Sequence, residues 1–177
     1  MKQFTRQFWL VLWSGIMLSL AGNALALEKS NIMLMELKTG TVKIELREDL
    51  APNHVERIKQ LIGEKFYDGI IFHRVIDGFM AQTGDPTGTG MGGSDYPDLR
   101  AEFSNEPFIR GTLGMARSQH PDSANSQFFI CFEDASWLNG QYTIIGQVIE
   151  GMENIDAVEK GEPPANPDKI ISLRLAN

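Results

Sequence analysis

The sequence predicts a mainly β domain: eight short, mainly antiparallel strands closed into a barrel, with two α-helices capping its ends. Three observations carry this. Short apolar or alternating segments recur between turn-forming residues, and only two stretches have helical spacing. Strands and helices do not alternate regularly, which argues against a parallel α/β sheet. Eight antiparallel strands closing on themselves remove exposed edges and leave an interior filled by side chains.

The elements follow in order. Residues 31–37 are largely apolar, and Lys38-Thr39-Gly40 reads as a turn. Residues 41–47 then alternate, with Val42, Ile44 and Leu46 on one face and Thr41, Lys43, Glu45 and Arg47 on the other. That is a β-hairpin signature. A helix is expected next: Pro52 suits its start, Val55, Ile58, Leu61 and Ile62 recur at helical spacing, and Gly63 suits its end. Further strands are expected at 70–75, 79–83, 112–117, 127–132, 143–148 and 169–175, the last with Ile171, Leu173 and Leu175 facing one way. Met152, Ile155 and Val158 mark a second, short helix. From Thr83 to Arg110 the chain is rich in Gly, Asp and Pro, and a loop this long in a compact domain is usually functional or mobile.

Residues 1–26 do not read as part of this domain. Lys2 and Arg6 precede an apolar run from Phe8 to Ala21, and Ala24-Leu25-Ala26 ends in small residues where a signal peptidase reads. This is the pattern of a cleaved secretory signal, so the mature chain is expected to be residues 27–177 in the periplasm, off the membrane; the alternative is an uncleaved anchor. Of the 16 basic residues in the sequence the leader holds Lys2 and Arg6, which leaves 14 against 23 acidic ones, a formal charge of −9. Such a chain is expected to be soluble and to avoid nucleic acid and anionic lipid. No exposed apolar stripe argues for anything but a monomer.

Several chemistries find no support. Gly88-Thr89-Gly90-Met91-Gly92-Gly93 is followed by Ser94-Asp95-Tyr96-Pro97, not by a helix, so a phosphate cradle is disfavoured. His54, His73 and His120 are isolated, so no metal site and no cofactor is expected. His54 and His120 are expected at the surface, and His73, between Phe72 and Arg74, as a half-buried packing residue. Cys131, the sole cysteine, sits in an apolar run and reads as a small buried hydrophobe. No G-x-S-x-G elbow or Ser/His/Asp series is present. An enzyme built here would work by binding and electrostatics.

The segment Phe72-His73-Arg74-Val75-Ile76-Asp77-Gly78-Phe79-Met80-Ala81-Gln82-Thr83-Gly84-Asp85 resembles the signature of the cyclophilin family of peptidyl-prolyl isomerases. The likeness continues through Gly111-Thr112-Leu113-Gly114-Met115-Ala116-Arg117 and Ser123-Ala124-Asn125-Ser126-Gln127-Phe128-Phe129-Ile130. It closes with Trp137-Leu138-Asn139-Gly140 and Thr143-Ile144-Ile145-Gly146. It spans residues 30–175 and looks like the bacterial, envelope-located branch. The resemblance implies a closed eight-stranded barrel with a helix at each end. It also implies catalysis of cis/trans isomerisation at X–Pro bonds of exported proteins as they fold.

The reaction needs no covalent step. The X–Pro amide is planar because nitrogen shares its lone pair with the carbonyl, and rotation breaks that sharing against a barrier of roughly 18–20 kcal/mol. The twisted amide is less dipolar at its carbonyl, and its nitrogen accepts a hydrogen bond better. An apolar pocket with one well-placed donor therefore favours the twisted state over both planar ones. By the resemblance, Phe79, Met80, Phe129 and Leu138 form the proline pocket and Arg74 supplies the donor. Gln82 orients Arg74 or holds the substrate backbone. The main chain at Ala116 and Arg117 binds the residue before proline, Gln127 lines the same face, and Trp137 walls one side and implies binding of cyclosporin. From their own segment alone, Phe79, Met80 and Phe129 read equally as core, and Arg74 as a surface ion-pair partner. The sequence departs from the family at Asp77, commonly proline, which is expected to loosen the turn before Phe79. It departs again at Arg117, commonly asparagine, expected to act through its backbone, and at Tyr142, commonly histidine, at the pocket edge. Two other functions compete: a non-catalytic module or chaperone that holds proline-containing segments, and a barrel that holds a small ligand inside.

Overall fold

The computed structural model describes residues 31–176; the expected leader lies outside the described residues. Strands β1 (Ile32–Leu37) and β2 (Gly40–Leu46) form the expected hairpin, pairing Leu37 with Gly40 across Lys38-Thr39. The alternating residues Val42, Ile44 and Leu46 are all buried, because strand side chains point to opposite faces in turn. The remaining strands are β3 (Arg74–Ile76), β4 (Met80–Thr83), β5 (Thr112–Met115), β6 (Phe128–Cys131), β7 (Ile144–Glu150) and β8 (Ser172–Leu175). They form one curled antiparallel sheet in the order β3-β4-β6-β5-β7-β2-β1-β8.

Eight strands are present as expected, although the one expected at 70–75 is the shorter β3 at Arg74–Ile76, and the sheet is an open half-barrel rather than a closed barrel. No ladder joins its edges β3 and β8. A single bridge, Ile71 to Lys169, with bonds such as Phe72 N–H to Asp168 O at 2.8 Å and Ile170 N–H to Ile70 O at 2.9 Å, spans the gap. The approach to β8 contains Pro163, Pro164 and Pro167, which have no N–H to give to a ladder. That irregular approach also shortens the expected strand at 169–175. Ile170 is buried while Ile171 is 49% exposed, so Ile171 does not share the face of Leu173.

Helix α1 (Pro52–Gly63) begins on its proline and buries Val55, Ile58, Leu61 and Ile62 in the main core. Each such side chain contributes about 1.5–3 kcal/mol. Gly63 is its last helical residue, but the left-handed turn that stops it is made two residues later by Lys65 (φ 58°). Lys65 N–H donates to Ile62 O and Phe66 N–H to Leu61 O, both at 3.0 Å, which is a Schellman closure. Helix α2 (Met152–Asp156) carries the expected Ile155 into the core.

His54 is not at the surface: it is fully buried, correcting the expectation. Its Nδ1 lies 2.6 Å from Glu102 Oε2, and the same carboxylate accepts the Asn53 and His54 N–H groups at 3.2 and 3.1 Å. Glu102, far along the chain, thus supplies the N-terminal cap that α1 lacks locally. Burial lowers the His54 pKa despite the pull of Glu102, so the ring is neutral and donates Nδ1–H. Burial raises the Glu102 carboxyl, but the bonds from His54 and Asn53 outweigh it and hold its pKa below the usual value. Cys131 is buried as expected and His73 is buried rather than half-buried; burial pushes the Cys131 thiol up to about 12, so it is no nucleophile.

Candidate active site

The strands β3, β4, β6 and β5 place a row of residues side by side on the face of the sheet away from the main core. Arg74 pairs with Gln82, Gln82 with Phe129, and Phe129 with Gly114. Their chain neighbours Val75, Ala81, Phe128, Ile130, Leu113 and Met115 point the other way, into the core. A second apolar cluster lies on the row's side: Met80, Phe108, Phe129, Cys131, Ala135, Leu138 and Ile144, with Phe79, Ala116 and Tyr142 packed against it. The interior of the half-barrel is occupied by side chains of the main cluster.

Over this second cluster opens a cleft of about 340 Å³. It is lined by Arg74, Phe79, Met80, Gln82, Ala116, Arg117, Phe129, Trp137, Leu138 and Tyr142, every residue expected at the site except Gln127. Gln127 stands immediately behind: it accepts Gln82 Nε2–H at 2.8 Å and donates to Gly90 O at 3.1 Å and Gly92 O at 2.8 Å. Met80 and Phe129 belong to the second core cluster and also line the cleft.

The polar side is a chain of contacts. Arg74 Nη1 lies 3.4 Å from Gln82 Oε1, and Arg74 Nε donates to Glu162 Oε2 at 2.8 Å. Gln82 therefore faces Arg74 with its oxygen and Gln127 with its amide nitrogen. Beyond Gln127 the Gly-rich loop wraps around Asp85, whose buried carboxylate accepts Thr87, Thr89, Gly90 and Gly92 N–H groups and the Thr87 hydroxyl. Burial raises the Asp85 pKa, but these donors outweigh it and bring it to about 2. The loop is thus an ordered wall held by an internal anion.

The apolar side is shaped by aromatics. Phe108 stacks on Phe129 with centroids 5.9 Å apart. Gly114 makes room for both rings: a Cβ there would meet Phe129 Cζ and sit 2.7 Å from Phe108 Cε1. Trp137, on a 3₁₀ turn (Ser136–Leu138), is 58% exposed, with its ring 5.5 Å from that of Phe79. Phe79 ends a turn closed by its own N–H to Ile76 O at 3.0 Å, with Asp77 inside it. The Ala116 N–H is already given to Gln127 O at 2.9 Å, so it is not the donor that a peptide meets. Arg117, expected to act through its backbone, has a side chain with contacts of its own: the guanidinium donates to Ser118 O, Gln119 O and Gln141 O and stacks on Tyr142. Sequence reading missed Phe108, Gly114, Asp85 and Glu162. Among the described residues no cluster of His, Cys, Asp or Glu suited to a metal ion is found.

Comparison with known proteins agrees with this geometry. The family model for cyclophilin type peptidyl-prolyl cis-trans isomerase/CLD matches residues 32–175. A probable peptidyl-prolyl cis-trans isomerase of Brucella suis is 54% identical over 168 residues, covering 86% of each chain. A peptidyl-prolyl cis-trans isomerase of Synechococcus elongatus is 37% identical, covering 80% of this chain and 94% of that one. Among solved structures, a cyclophilin from Hirschia baltica superposes with a TM-score of 0.77 at 27% identity, covering 83% of this chain and 74% of its own. A cyclophilin type isomerase from Cryptosporidium parvum, determined in the presence of the dipeptide Ala-Pro, gives 0.76 at 31% identity, covering 82% of this chain and 99% of its own. With its half-barrel, its Arg74–Gln82–Phe129 row and the apolar cleft above it, the chain belongs to the cyclophilin-type peptidyl-prolyl cis-trans isomerase family.

Proposed function

We propose that this isomerase turns X–Pro bonds in exported proteins as they fold, in the periplasm and as a monomer, using the cleft over β4 and β6. The observation that carries the reading is the cross-strand row: it sets a permanent cation, Arg74, beside a buried apolar floor made by Phe129 and Met80. The proline ring sits on Phe129, Met80 and Leu138, with Phe79 at its edge. As the amide twists, its nitrogen becomes pyramidal and accepts a hydrogen bond from Arg74, whose guanidinium meets the Gln82 amide oxygen. No proton is transferred and no bond to the protein forms, so the work lies in binding the twisted amide better than either planar form. Ala116, Arg117 and Gln127 flank the residues before proline, and Trp137 and Tyr142 wall the other side.

The Cryptosporidium relative's crystallisation with Ala-Pro supports a proline-containing ligand. Export rests on the leader-like residues 1–26 alone. An isomerisation assay on a short proline peptide, using residues 27–177, tests the chemistry. The mass and fractionation of the chain expressed with its leader test export: a protein beginning at Leu27 among soluble envelope contents is expected, and a full-length chain in the membrane fraction would contradict it.

A further inference from the structure

We propose that Glu162 is a positioning residue for the reaction, fixing the plane of the Arg74 guanidinium together with Gln82. Val75 and Gly161 exchange N–H···O bonds of 2.8 Å in both directions, an isolated antiparallel bridge. Antiparallel pairing of 75 with 161 sets 74 directly against 162. The result is the Nε–H bond from Arg74 to Glu162 Oε2 at 2.8 Å.

The two contacts on Arg74 are not equivalent. Nη1 to Gln82 Oε1, at 3.4 Å, is a long hydrogen bond and by itself lets the planar group swing. The bond at Nε, on the adjacent edge, removes that rotation, because two contacts on different edges of a rigid fork define its plane. Among the described residues Nη2 has no hydrogen-bond partner, and Arg74 lines the cleft. The carrier of Glu162 is stiff. Gly161 (φ 150°) precedes it, and a Cβ there would lie 2.6 Å from Pro164 Cα; Pro163 and Pro164 follow. The side chains are 42% and 53% exposed, so the pair contributes little to stability and its loss is read in turnover.

This rests on the reading of Arg74 as the donor to the twisted amide. The test compares Glu162→Ala, Glu162→Gln, Arg74→Ala and the double variant Arg74→Ala/Glu162→Ala in peptide isomerisation, with thermal unfolding alongside. Glu162→Ala is expected to lower kcat about tenfold with KM within about twofold and the unfolding temperature unchanged. Glu162→Gln, whose amide oxygen still accepts from Nε, recovers most of that loss, and the near-isosteric change keeps the test open should the alanine variant not fold. In the Arg74→Ala background, removing Glu162 costs nothing further. Wild-type turnover in Glu162→Ala with Arg74→Ala impaired overturns the positioning assignment alone, as does a Glu162→Ala loss that persists without Arg74. Wild-type turnover in Arg74→Ala overturns the donor reading beneath it.

Discussion

The guanidinium carbon of Arg117 lies 4.4 Å from the centroid of the Tyr142 ring, and the same ring meets Phe129 edge-on at 5.8 Å. The two residues that depart from the family pattern at the cleft edge are therefore partners. Tyr142 is the middle of a series of contacts that begins on Phe129 and ends on a cation. Tyr142→Ala is expected to lower affinity for a proline peptide several-fold while sparing the fold. A double-mutant cycle with Arg117→Ala in chemical unfolding should give a coupling of about 0.5–1 kcal/mol. Independent, additive effects would show that these contacts do not hold the wall.

Gly114 tests the floor. A methyl group there collides with the rings of Phe129 and Phe108, both held in a packed cluster. Gly114→Ala should destabilise the fold by roughly 1–3 kcal/mol and tilt Phe129 into the cleft, lowering activity beyond what the stability loss explains. Unfolding midpoints and peptide isomerisation at low temperature, where the variant is folded, separate the two effects.

Acid should loosen the long loop before the sheet. The pKa values of His54, Glu102 and Asp85 all lie below their ordinary values, so the unfolded chain binds protons more readily than the folded one. Their stabilisation is complete above about pH 7 and declines as pH falls, first through the His54 range, then through the carboxylates. For Asp85, from 3.8 to about 2, the amount is on the order of 2 kcal/mol, lost between those values. Asp85→Asn should flatten the lowest part of the stability-against-pH curve and reduce activity, because the Gly90 and Gly92 carbonyls that orient Gln127 lose their anchor. Stability measured by denaturant from pH 2 to pH 8 reads this directly.

Trp137 offers an optical probe. Trp9 and Trp13 precede residue 27, so in residues 27–177 it is the sole tryptophan. Its ring stands exposed at the cleft beside Phe79. Cyclosporin is expected to change its fluorescence and to compete with the peptide substrate. A flat titration with full activity at high cyclosporin would leave the isomerase intact and remove Trp137 from the ligand surface.

Much of this was legible because it is local. Alternation in Val42, Ile44 and Leu46 sets the hairpin, and helical spacing from Val55 to Ile62 sets α1. The cleft residues were legible through ordered motifs shared with the family, and the structure gathers them. What was not legible depends on contacts distant in sequence. His54 is buried only because Glu102 comes back to it, and Arg117 owes its side-chain contacts to Gln141 and Tyr142. The helix ends at Gly63 as expected, but the left-handed closing residue is Lys65, which no local pattern marks, and the prolines before β8 have no N–H to give to a ladder that would close the sheet. The surface ion pair considered for Arg74 is present, and the same guanidinium also meets Gln82.

The most direct test of the account is Arg74→Ala. It leaves Phe129, Met80 and Leu138 in place, so peptide affinity should change little. Loss of the charged donor to the twisted nitrogen should raise the barrier by about 3–4 kcal/mol, a fall in kcat of roughly 10²–10³. The measurement is isomerisation of a short proline peptide by residues 27–177, with circular dichroism to establish folding. A folded Arg74→Ala variant that retains wild-type turnover would contradict the mechanism.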